Sequence, residues 1–338
     1  MSEERLVGSE IKFEDLSVEG GLRPQNFSGY IGQKSVIDNM KIYIEAAKKN
    51  DRQLDHLLLA GPPGLGKTTL SQIVANELGV KIFITSGPAI EKKGDLAGLL
   101  TSLKEKDVLF IDEIHRLSAA VEESLYSAME DFFFDIMLGE GAHARSMRLP
   151  IAPFTLIGAT TKTGSLSSPL RDRFQIDFRM DYYSVEELKQ IVERSSEILG
   201  IKTDSAGAFE IARRARGTPR IANRILKRVR DFAEIKGDGT IGIEITRHAL
   251  DQMEIDEDGL DQMDRTILLT IIESFNGGPV GVEAIAASVS EEKRTIEEVY
   301  EPYLIKSGFI ARTPKGRVVT KKALEKFGVE SNSQGKLF

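Results

Sequence analysis

The stretch GPPGLGKT, residues 61–68, constrains more than any other what this chain can fold into. It fits the pattern G-x-x-x-x-G-K-[ST], follows the apolar run HLLLA and opens the amphipathic stretch KTTLSQIVANEL. In that context glycines let backbone N–H groups surround phosphates at the positive end of a helix. The pattern predicts a nucleotide site between a strand and a helix, and a Gly/Pro-rich surface turn is the weaker alternative.

The residues of this loop have separate expected roles. Lys67 is expected to reach the β and γ phosphates, and the Thr68 hydroxyl is expected to bind magnesium. The predicted cofactors are therefore ATP and Mg²⁺. The loop residues expected to contact nucleotide are Gly61, Pro62, Gly64, Gly66, Lys67, Thr68 and Thr69.

Apolar runs alternate with amphipathic stretches over the first half of the chain. After HLLLAG come VKIFITS, DVLFID and FTLIGATT, each separated from the next by a helix-like or loop segment. Short continuous apolar strands that alternate with helices are typical of a parallel sheet covered on both faces. Residues 1–183 are therefore predicted to form an α/β domain.

Two carboxylates follow the run VLFI, at the end of a predicted strand. Asp112 is expected to hold magnesium, and Glu113 is expected to polarise the attacking water. A glutamate beside the metal aspartate favours hydrolysis over nucleotide binding alone, because the water must be oriented and partly deprotonated. The sequence therefore predicts an ATPase, with an acidic surface turn as the alternative.

Polar groups elsewhere could sense the γ-phosphate. Thr160 and Thr161 end the strand LIGATT, and Thr161 is the preferred candidate for a hydrogen bond to the phosphate or the water. Arg220 stands at a predicted helix start in RGTPR, from which a cation could reach the same phosphate. The alternative is a solvated arginine-rich face made of Arg213, Arg214, Arg216, Arg220 and Arg224.

The second half of the chain divides into two further predicted domains. Residues 184–256 have only helical patterns, opened by a capping box between Ser184 and Glu187. The acidic stretch DEDGLDQMD, residues 256–264, is interpreted as a linker or domain edge. Residues 257–338 are predicted to form a winged helix, with helices over 265–275, 282–287 and 293–306 and a hairpin in GFIARTPKGRVVT.

A basic patch is concealed in a chain whose net charge is -7. Between residues 304 and 326 a single acid, Glu325, accompanies the cations Lys306, Arg312, Lys315, Arg317, Lys321, Lys322 and Lys326. The predicted recognition helix instead carries Glu297, Glu298 and Glu301, which would repel phosphates. Arg312, Lys315 and Arg317 of the wing are therefore expected to contact the DNA backbone without reading sequence, with Lys293 a weaker candidate. A solvated basic hairpin is the alternative.

Composition limits which classes of protein this chain can belong to. The chain has no cysteine, no signal-like N-terminus and no apolar run long enough to cross a bilayer, so a cytoplasmic location without membrane contact is expected. The acidic net charge argues against a protein that coats nucleic acid indiscriminately.

The motifs, taken in order, resemble those of the AAA+ ATPases. The chain has, in the order typical of that family, the phosphate loop, the DE strand, the polar strand end, PLRDRF and GTPR. The early segment LRPQNFSGYIGQ and the winged helix narrow the resemblance to bacterial motors that drive branch migration of Holliday junctions. The resemblance implies nucleotide bound between the α/β domain and the helical lid. It implies that Arg173 of SSPLRDRF acts in the neighbouring subunit's site, with Arg171 left uncertain. Residues implied to cradle adenine are Leu22, Arg23, Tyr30, Ile31, Tyr183 and Pro219, and those implied to lie near the subunit boundary are Glu130, Asp131 and Phe132.

The resemblance also implies partners. A homohexameric ring would encircle duplex DNA and be recruited to the four-way junction by the protein RuvA, with RuvC as a further candidate partner. Residues 132–150 are then expected to form a hairpin whose apolar tip docks RuvA, although Phe132, Phe133 and Phe134 are more readily explained as core. The alternatives are an AAA+ loader or switch that acts once on DNA, and a transcriptional regulator with a nucleotide-gated winged helix.

Overall fold

The computed structural model describes residues 21–138 and 145–329. These residues form two units. One is Arg23–Tyr183, and the other consists of the described residues from Ser184 onward together with Leu22. Each unit has its own buried core.

The first unit alternates helices and strands. Its elements are α1 Lys34–Lys49, β1 Leu57–Ala60, α2 Lys67–Leu78, β2 Ile82–Ser86, α3 Lys93–Ser102, β3 Val108–Asp112, α4 Ala119–Glu130, β4 Phe133–Leu138, β5 Arg145–Pro150, β6 Thr155–Thr160, α5 Ser168–Arg171 and β7 Ile176–Arg179. Single turns of 3₁₀ helix cover Phe27–Gly29, Gly87–Ala89, Ile114–Arg116 and Thr163–Ser165.

A parallel sheet with the order β2-β3-β6-β1-β7 organises this unit. Strands β1 and β6 are buried along their whole length, as expected of apolar strands covered on both faces. The parallel sheet predicted from the alternation of apolar runs is confirmed. Because all its strands run the same way, their carboxyl ends meet at one edge.

Strands β4 and β5 form a separate antiparallel hairpin, with Phe133 opposite Pro150 and Phe134 opposite Leu149. Phe134 is fully buried, and the Phe132 ring packs edge-on against Phe154. The expectation of core residues at these two positions is confirmed, whereas Phe133 is 37% exposed. Most of the predicted docking tip, residues 139–144, lies outside the described residues.

The second unit begins with helices that pack on one another. Its first elements are α6 Val185–Leu199, β8 Lys202–Thr203, α7 Ser205–Arg214, α8 Pro219–Lys236, β9 Thr240–Ile241 and α9 Ile243–Gln252. The predicted capping box is confirmed, because Glu187 N donates to Ser184 Oγ and Ser184 N donates to a Glu187 carboxylate oxygen. The structure adds a short parallel pairing of β8 with β9, which is too brief to leave a strand pattern in the sequence.

The rest of this unit is α10 Gln262–Ser274, α11 Val282–Ser288, α12, β10 Ile310–Thr313, β11 Gly316–Val319 and α13 Lys321–Lys326. Helix α12 runs through three consecutive parts, Lys293–Thr295, the π-helical Ile296–Tyr300 and Glu301–Lys306. Strands β10 and β11 pair around the turn at Pro314 and Lys315, and Val280 bridges to Arg317 on the far side of β11. The predicted helices and hairpin are all present.

The stretch at residues 256–264, expected to be a linker or domain edge, forms a joint in which Gly259, Leu260 and Asp264 are buried. Arg216 of the lid is buried, and its guanidinium lies 2.5 Å from Asp264 and 3.2 Å from Asp261. It also donates to the Gly259 carbonyl oxygen and covers the ring of Tyr303. The acids are present because they neutralise a cation that the core encloses.

Arg214 is buried as well, which contradicts the alternative of a fully solvated arginine face. Its guanidinium donates to Glu210 at 2.7 Å and to the Ile255 carbonyl oxygen at 2.7 Å. Burial of an unpaired guanidinium would be costly, so these partners are a condition of the local packing.

The joint predicts a pH-dependent stability. Burial raises the pKa of Asp264 from 3.8 to about 7, against the opposing effect of Arg216. Between these two values the folded chain binds a proton that the unfolded chain releases, so stability falls as pH rises through this window. We expect the thermal midpoint of the parent to fall between pH 5 and pH 8, and we expect this fall to be a few degrees smaller in Asp264→Asn. Parallel curves for parent and variant in a melting series would contradict the assignment.

Candidate functional site

The phosphate loop connects β1 to α2 at the carboxyl edge of the sheet. Gly61, Gly64 and Gly66 all have positive φ, and a Cβ at Gly61 would lie 2.6 Å from the Met180 carbonyl oxygen. Gly61 N donates to the Thr160 carbonyl oxygen at 3.0 Å, which ties the start of the loop to the end of β6. The loop geometry therefore requires glycine and places the N-terminus of α2 at the site.

Lys67 begins α2 and turns back over the loop. Its Nζ donates to the carbonyl oxygens of Gly61 and Pro62, both at 2.8 Å, and the side chain is buried. Thr68 and Thr69 follow in the first helical turn and are half-buried. A phosphate that entered the loop would replace the carbonyl oxygens as the acceptors for Lys67.

The two predicted carboxylates lie at the end of β3, next to β6 in the sheet. Asp112 Oδ1 accepts from Glu113 N at 2.9 Å, and Glu113 has a left-handed backbone. The Glu113 carboxylate is 2.7 Å from the Arg116 guanidinium. The sequence patterns did not point to Arg116, which forms an ion pair with the predicted base.

The end of β6 distinguishes the two threonines. Thr160 is buried, and its Oγ1 lies 3.0 Å from His115 Nδ1 and accepts from Lys162 N. Thr161 is half-buried at the same strand end. Because the Thr160 hydroxyl is engaged by two neighbours, Thr161 stays the better predicted sensor.

The donor set fits magnesium bound together with phosphates. Mg²⁺ commonly uses one or two protein oxygens and completes its shell with phosphate oxygens and water. Asp112 and Thr68 can supply a carboxylate and a hydroxyl from one edge of the sheet. Among the described residues there is no cluster of three or more His, Asp and Glu side chains that could hold an ion by itself.

Tyrosines from two distant segments meet beside the loop. The Tyr183 hydroxyl donates to Tyr30 Oη at 3.0 Å and lies 3.1 Å from the Leu65 carbonyl oxygen. Burial, followed by the neighbouring Tyr183, raises the pKa of Tyr30 well above its usual value. A Cβ at Gly66 would come within 3.2 Å of Tyr30 Oη. This contact brings two of the predicted adenine residues together, and Arg23 and Ile31 belong to the same unit.

Three further nucleotide candidates, Leu22, Pro219 and Arg220, belong to the other unit. The Leu22 carbonyl oxygen accepts from Arg194 at 3.1 Å. Pro219 and Arg220 form the first turn of α8, which Thr218 caps through Ile221 N. The helix start predicted for Arg220 is confirmed, while the nucleotide contacts of these three residues stay predictions.

Arg173 and Glu130 form an ion pair. Arg173 Nη2 lies 2.7 Å from a Glu130 carboxylate oxygen, Nη1 donates to the Pro169 carbonyl oxygen at 2.9 Å, and the guanidinium covers the Tyr126 ring at 4.7 Å. Arg171 is exposed one residue before Asp172. The pairing joins two predicted boundary residues, and neither the Glu130 pair nor the Tyr126 stack was anticipated from the sequence.

The other boundary candidates differ in exposure. Asp131 is exposed, directly after α4. Phe132 has a left-handed backbone and directs its ring at Phe154, so its side chain belongs to the core. A nucleotide contact from Phe132 would have to come from its backbone.

The wing presents fewer cations than predicted. Arg312 is 63% exposed, and Lys315 is exposed at the hairpin turn. Arg317 is buried, with its guanidinium 2.8 Å from Glu301 and 3.3 Å from Glu297. The strand partner of Arg317 is Arg312, whose guanidinium also lies 3.9 Å from Glu297 and 3.9 Å from Glu301. The DNA contact of Arg317 stays a prediction, and its burial against α12 does not support it.

The same pairs revise the picture of an acidic recognition helix. Glu301 is buried against Arg317, and Glu298 is paired with Arg294 at 3.0 Å. Lys293 remains about half exposed but lies 2.7 Å from Glu283. The repulsion predicted between this helix and phosphates is thus reduced by cations from the wing and from the helix itself.

Lys326 is also withdrawn from the predicted basic patch. Its Nζ lies 2.8 Å from Asp256 and 2.5 Å from Asp258 at the joint. The exposed cations that remain near the wing include Arg312, Lys315, Lys321 and Lys322. In the described part of the chain, no helix is long and apolar enough to cross a membrane.

Comparison with known families extends these observations to the whole chain. Residues 22–180 match the family described as the Holliday junction DNA helicase RuvB P-loop domain. Residues 183–256 match the RuvB AAA lid domain, and residues 257–328 match the RuvB C-terminal winged helix domain. The predicted order of a P-loop domain, a helical lid and a winged helix is confirmed.

Solved structures agree with the family matches. The RuvB Holliday junction branch migration motor of Thermotoga maritima is 51% identical, with a TM-score of 0.84 over 92% of this chain and 99% of that one. Two mutants of that protein are 52% and 51% identical, each with a TM-score of 0.85 over 91% of this chain and 99% of theirs.

The phosphate loop yields the first prediction for activity. Lys67→Ala should lower ATP turnover by at least about 10²-fold, because the charge that stabilises the transferring phosphate is lost. Steady-state phosphate release measures the effect. Turnover equal to that of the parent would contradict the assignment of the site.

The wing predicts two separable effects. Arg312→Ala combined with Lys315→Ala should weaken duplex binding and lower the slope of log K against log salt by about 1 for each phosphate that is no longer neutralised. Arg317→Ala should instead cost about 3 kcal/mol of stability, because the buried Glu301 would lose its partner at 2.8 Å and keep only Arg312 at 3.9 Å. Salt titrations and thermal melts of both variants test this, and an unchanged salt slope in the double variant would place the DNA contact elsewhere.

Proposed function

This chain belongs to the RuvB family of Holliday junction branch migration motors, and from that premise we propose that it couples ATP hydrolysis to movement along duplex DNA as a hexameric ring. The chain has the P-loop domain of an ATPase motor and acts on Holliday junction DNA. The observation that carries the proposal is the meeting of the phosphate loop, Asp112, Glu113 and Thr161 at one edge of the sheet.

At this edge each side chain has a distinct task. Lys67 would exchange its two loop carbonyl oxygens for phosphate oxygens and neutralise their charge. Thr68 and Asp112 would hold magnesium, which would supply positive charge to the phosphates when bound. Thr161 would orient the γ-phosphate or the water at the end of β6.

Glu113 would take the proton from the attacking water. Its carboxylate lies 2.7 Å from the Arg116 guanidinium, so this ion pair would have to open for the carboxylate to face the water.

The ring is supported by the position of Arg173. Its described partners are Glu130, Pro169 and Tyr126, and none of these belongs to the phosphate loop. A guanidinium that completes the site of the adjacent subunit neutralises charge on the transferring phosphate, an effect worth about 10³- to 10⁵-fold in related NTPases. Arg220 is proposed as the lid's cation for the same phosphate.

Exposed surfaces support the proposed partners. The RuvA contact is proposed for the hairpin of residues 132–150, where Phe133 and Met147 are 37% and 40% exposed. RuvC stays a candidate partner. DNA contacts are proposed for Arg312 and Lys315, with Lys293 weaker, and their exposure on a hairpin suits backbone contacts that ignore sequence. A cytoplasmic location stays a prediction.

Mixed rings test the proposal. Arg173→Ala subunits and Lys67→Ala subunits should each show little turnover alone, and mixing them should restore part of it, because each supplies what the other lacks. ATP hydrolysis and movement of a synthetic four-way junction should recover together. Absence of recovery would refute action in trans.

The same assay separates the alternatives. A loader or switch would hydrolyse ATP once for each binding event, and a regulator would prefer one duplex sequence. Continuous turnover with junction movement on unrelated sequences is expected for the motor.

A further inference from the structure

Three neighbouring groups contact the Arg173 guanidinium. Its guanidinium is bound at Nη2 by Glu130, at Nη1 by the Pro169 carbonyl oxygen, and on its face by Tyr126. These interactions use one N–H of each terminal nitrogen, so the second N–H of each is available for a phosphate oxygen. The side chain is 27% exposed, which gives such an oxygen access.

The hydroxyl of Tyr126 is held by two neighbouring side chains. Its hydroxyl donates to Glu122 at 2.9 Å and lies 2.9 Å from Ser167 Oγ. Ser167 is the N-cap of α5 and accepts from Leu170 N. The ring therefore bridges α4 and the segment that carries Arg173.

Helix α4 gives this ring a rigid base. Val121, Leu125 and Ala128 are fully buried on its inner face. At its C-terminal end the Met129 carbonyl oxygen lies 3.0 Å from His56 Nε2, while His56 Nδ1 accepts from Leu156 N. Because Nδ1 is an acceptor, Nε2 carries the proton and donates to Met129. The helix end is thus tied to β6.

Glu130 and Tyr126 differ in how easily their contact with Arg173 can be exchanged. The Glu130 side chain is 63% exposed, and ion pairs of exposed carboxylates are weak and easily exchanged. The Tyr126 ring stays in place whichever anion the guanidinium pairs with. An arginine that meets phosphate loses much rotamer freedom, and a stacked ring reduces that loss in advance.

We propose that Tyr126 is a positioning residue for Arg173: its ring holds the guanidinium plane in the orientation needed for the neighbouring subunit's phosphate, while Glu130 neutralises the charge until the phosphate arrives. This inference rests on the proposed function, since it requires Arg173 to act in trans. If Tyr126 had only a structural role, its substitution would instead lower the stability or the turnover of the subunit that carries it.

Three variants test the ring directly. Tyr126→Leu should lower kcat for ATP by about 2- to 30-fold, the range expected from loss of a cation–π interaction, with little change in KM, because the phosphate loop is untouched. Tyr126→Phe keeps the ring and should lose less. Tyr43→Leu, at an exposed tyrosine that stacks on Phe178 of β7, is the matched control and should leave kcat unchanged.

Mixed rings distinguish positioning from structure. Tyr126→Leu subunits mixed with Lys67→Ala subunits should show more turnover for each intact phosphate loop than Tyr126→Leu rings alone, because Lys67→Ala subunits supply a well-positioned Arg173. No increase, while mixed Arg173→Ala and Lys67→Ala rings do recover, would overturn the role of Tyr126 alone. Failure of both mixtures would remove the trans action on which it rests.

Thermal melts complete the test. An unfolding midpoint of Tyr126→Leu near that of Tyr43→Leu, together with reduced kcat, supports positioning. A loss in Tyr126→Phe as large as in Tyr126→Leu would overturn the proposal, because it would assign the effect to the hydroxyl bridge between Glu122 and Ser167.

Discussion

The parallel placement of β6 between β3 and β1 is the constraint on which the candidate nucleotide site depends. It brings the end of β3, which carries Asp112, and the start of the phosphate loop to either side of Thr160 and Thr161. The hydrogen bond from Gly61 N to the Thr160 carbonyl oxygen continues the pairing one step beyond β1. Loss of this register would separate the phosphate-binding groups from the acids, because the residues are far apart in sequence.

The charged side chains of the candidate site have partners within the chain. Lys67 binds its own loop, Glu113 binds Arg116, and Arg173 binds Glu130. Each interaction satisfies a charge that would otherwise face a partly desolvated site without compensation. The proposed function requires each of these contacts to open, so that Lys67 meets a phosphate, Glu113 the water and Arg173 the neighbouring subunit's phosphate.

The second unit uses buried charges differently. Arg216 with Asp264, and Arg317 with Glu301, lie inside the packing and have no comparable route to exchange. Removing one partner would strand the other in a low dielectric, so these pairs tie the lid to the winged helix and the wing to α12. Outside this buried pairing the wing exposes Arg312, which still lies 3.9 Å from Glu297 and from Glu301, and Lys315.

The sequence by itself determined the phosphate loop, the order of strands and helices, the capping box at Ser184 and the winged-helix pattern. These features depend on neighbours within a few residues, such as glycines in a turn or apolar runs of strand length, so their signals are local. Only the tertiary structure decided that Arg317 is buried, that the acidic stretch is a joint and that Tyr126 stacks on Arg173. Those outcomes join residues 16, 48 and 47 positions apart, and charge pairing or ring stacking at such separation follows from packing, which no local pattern records.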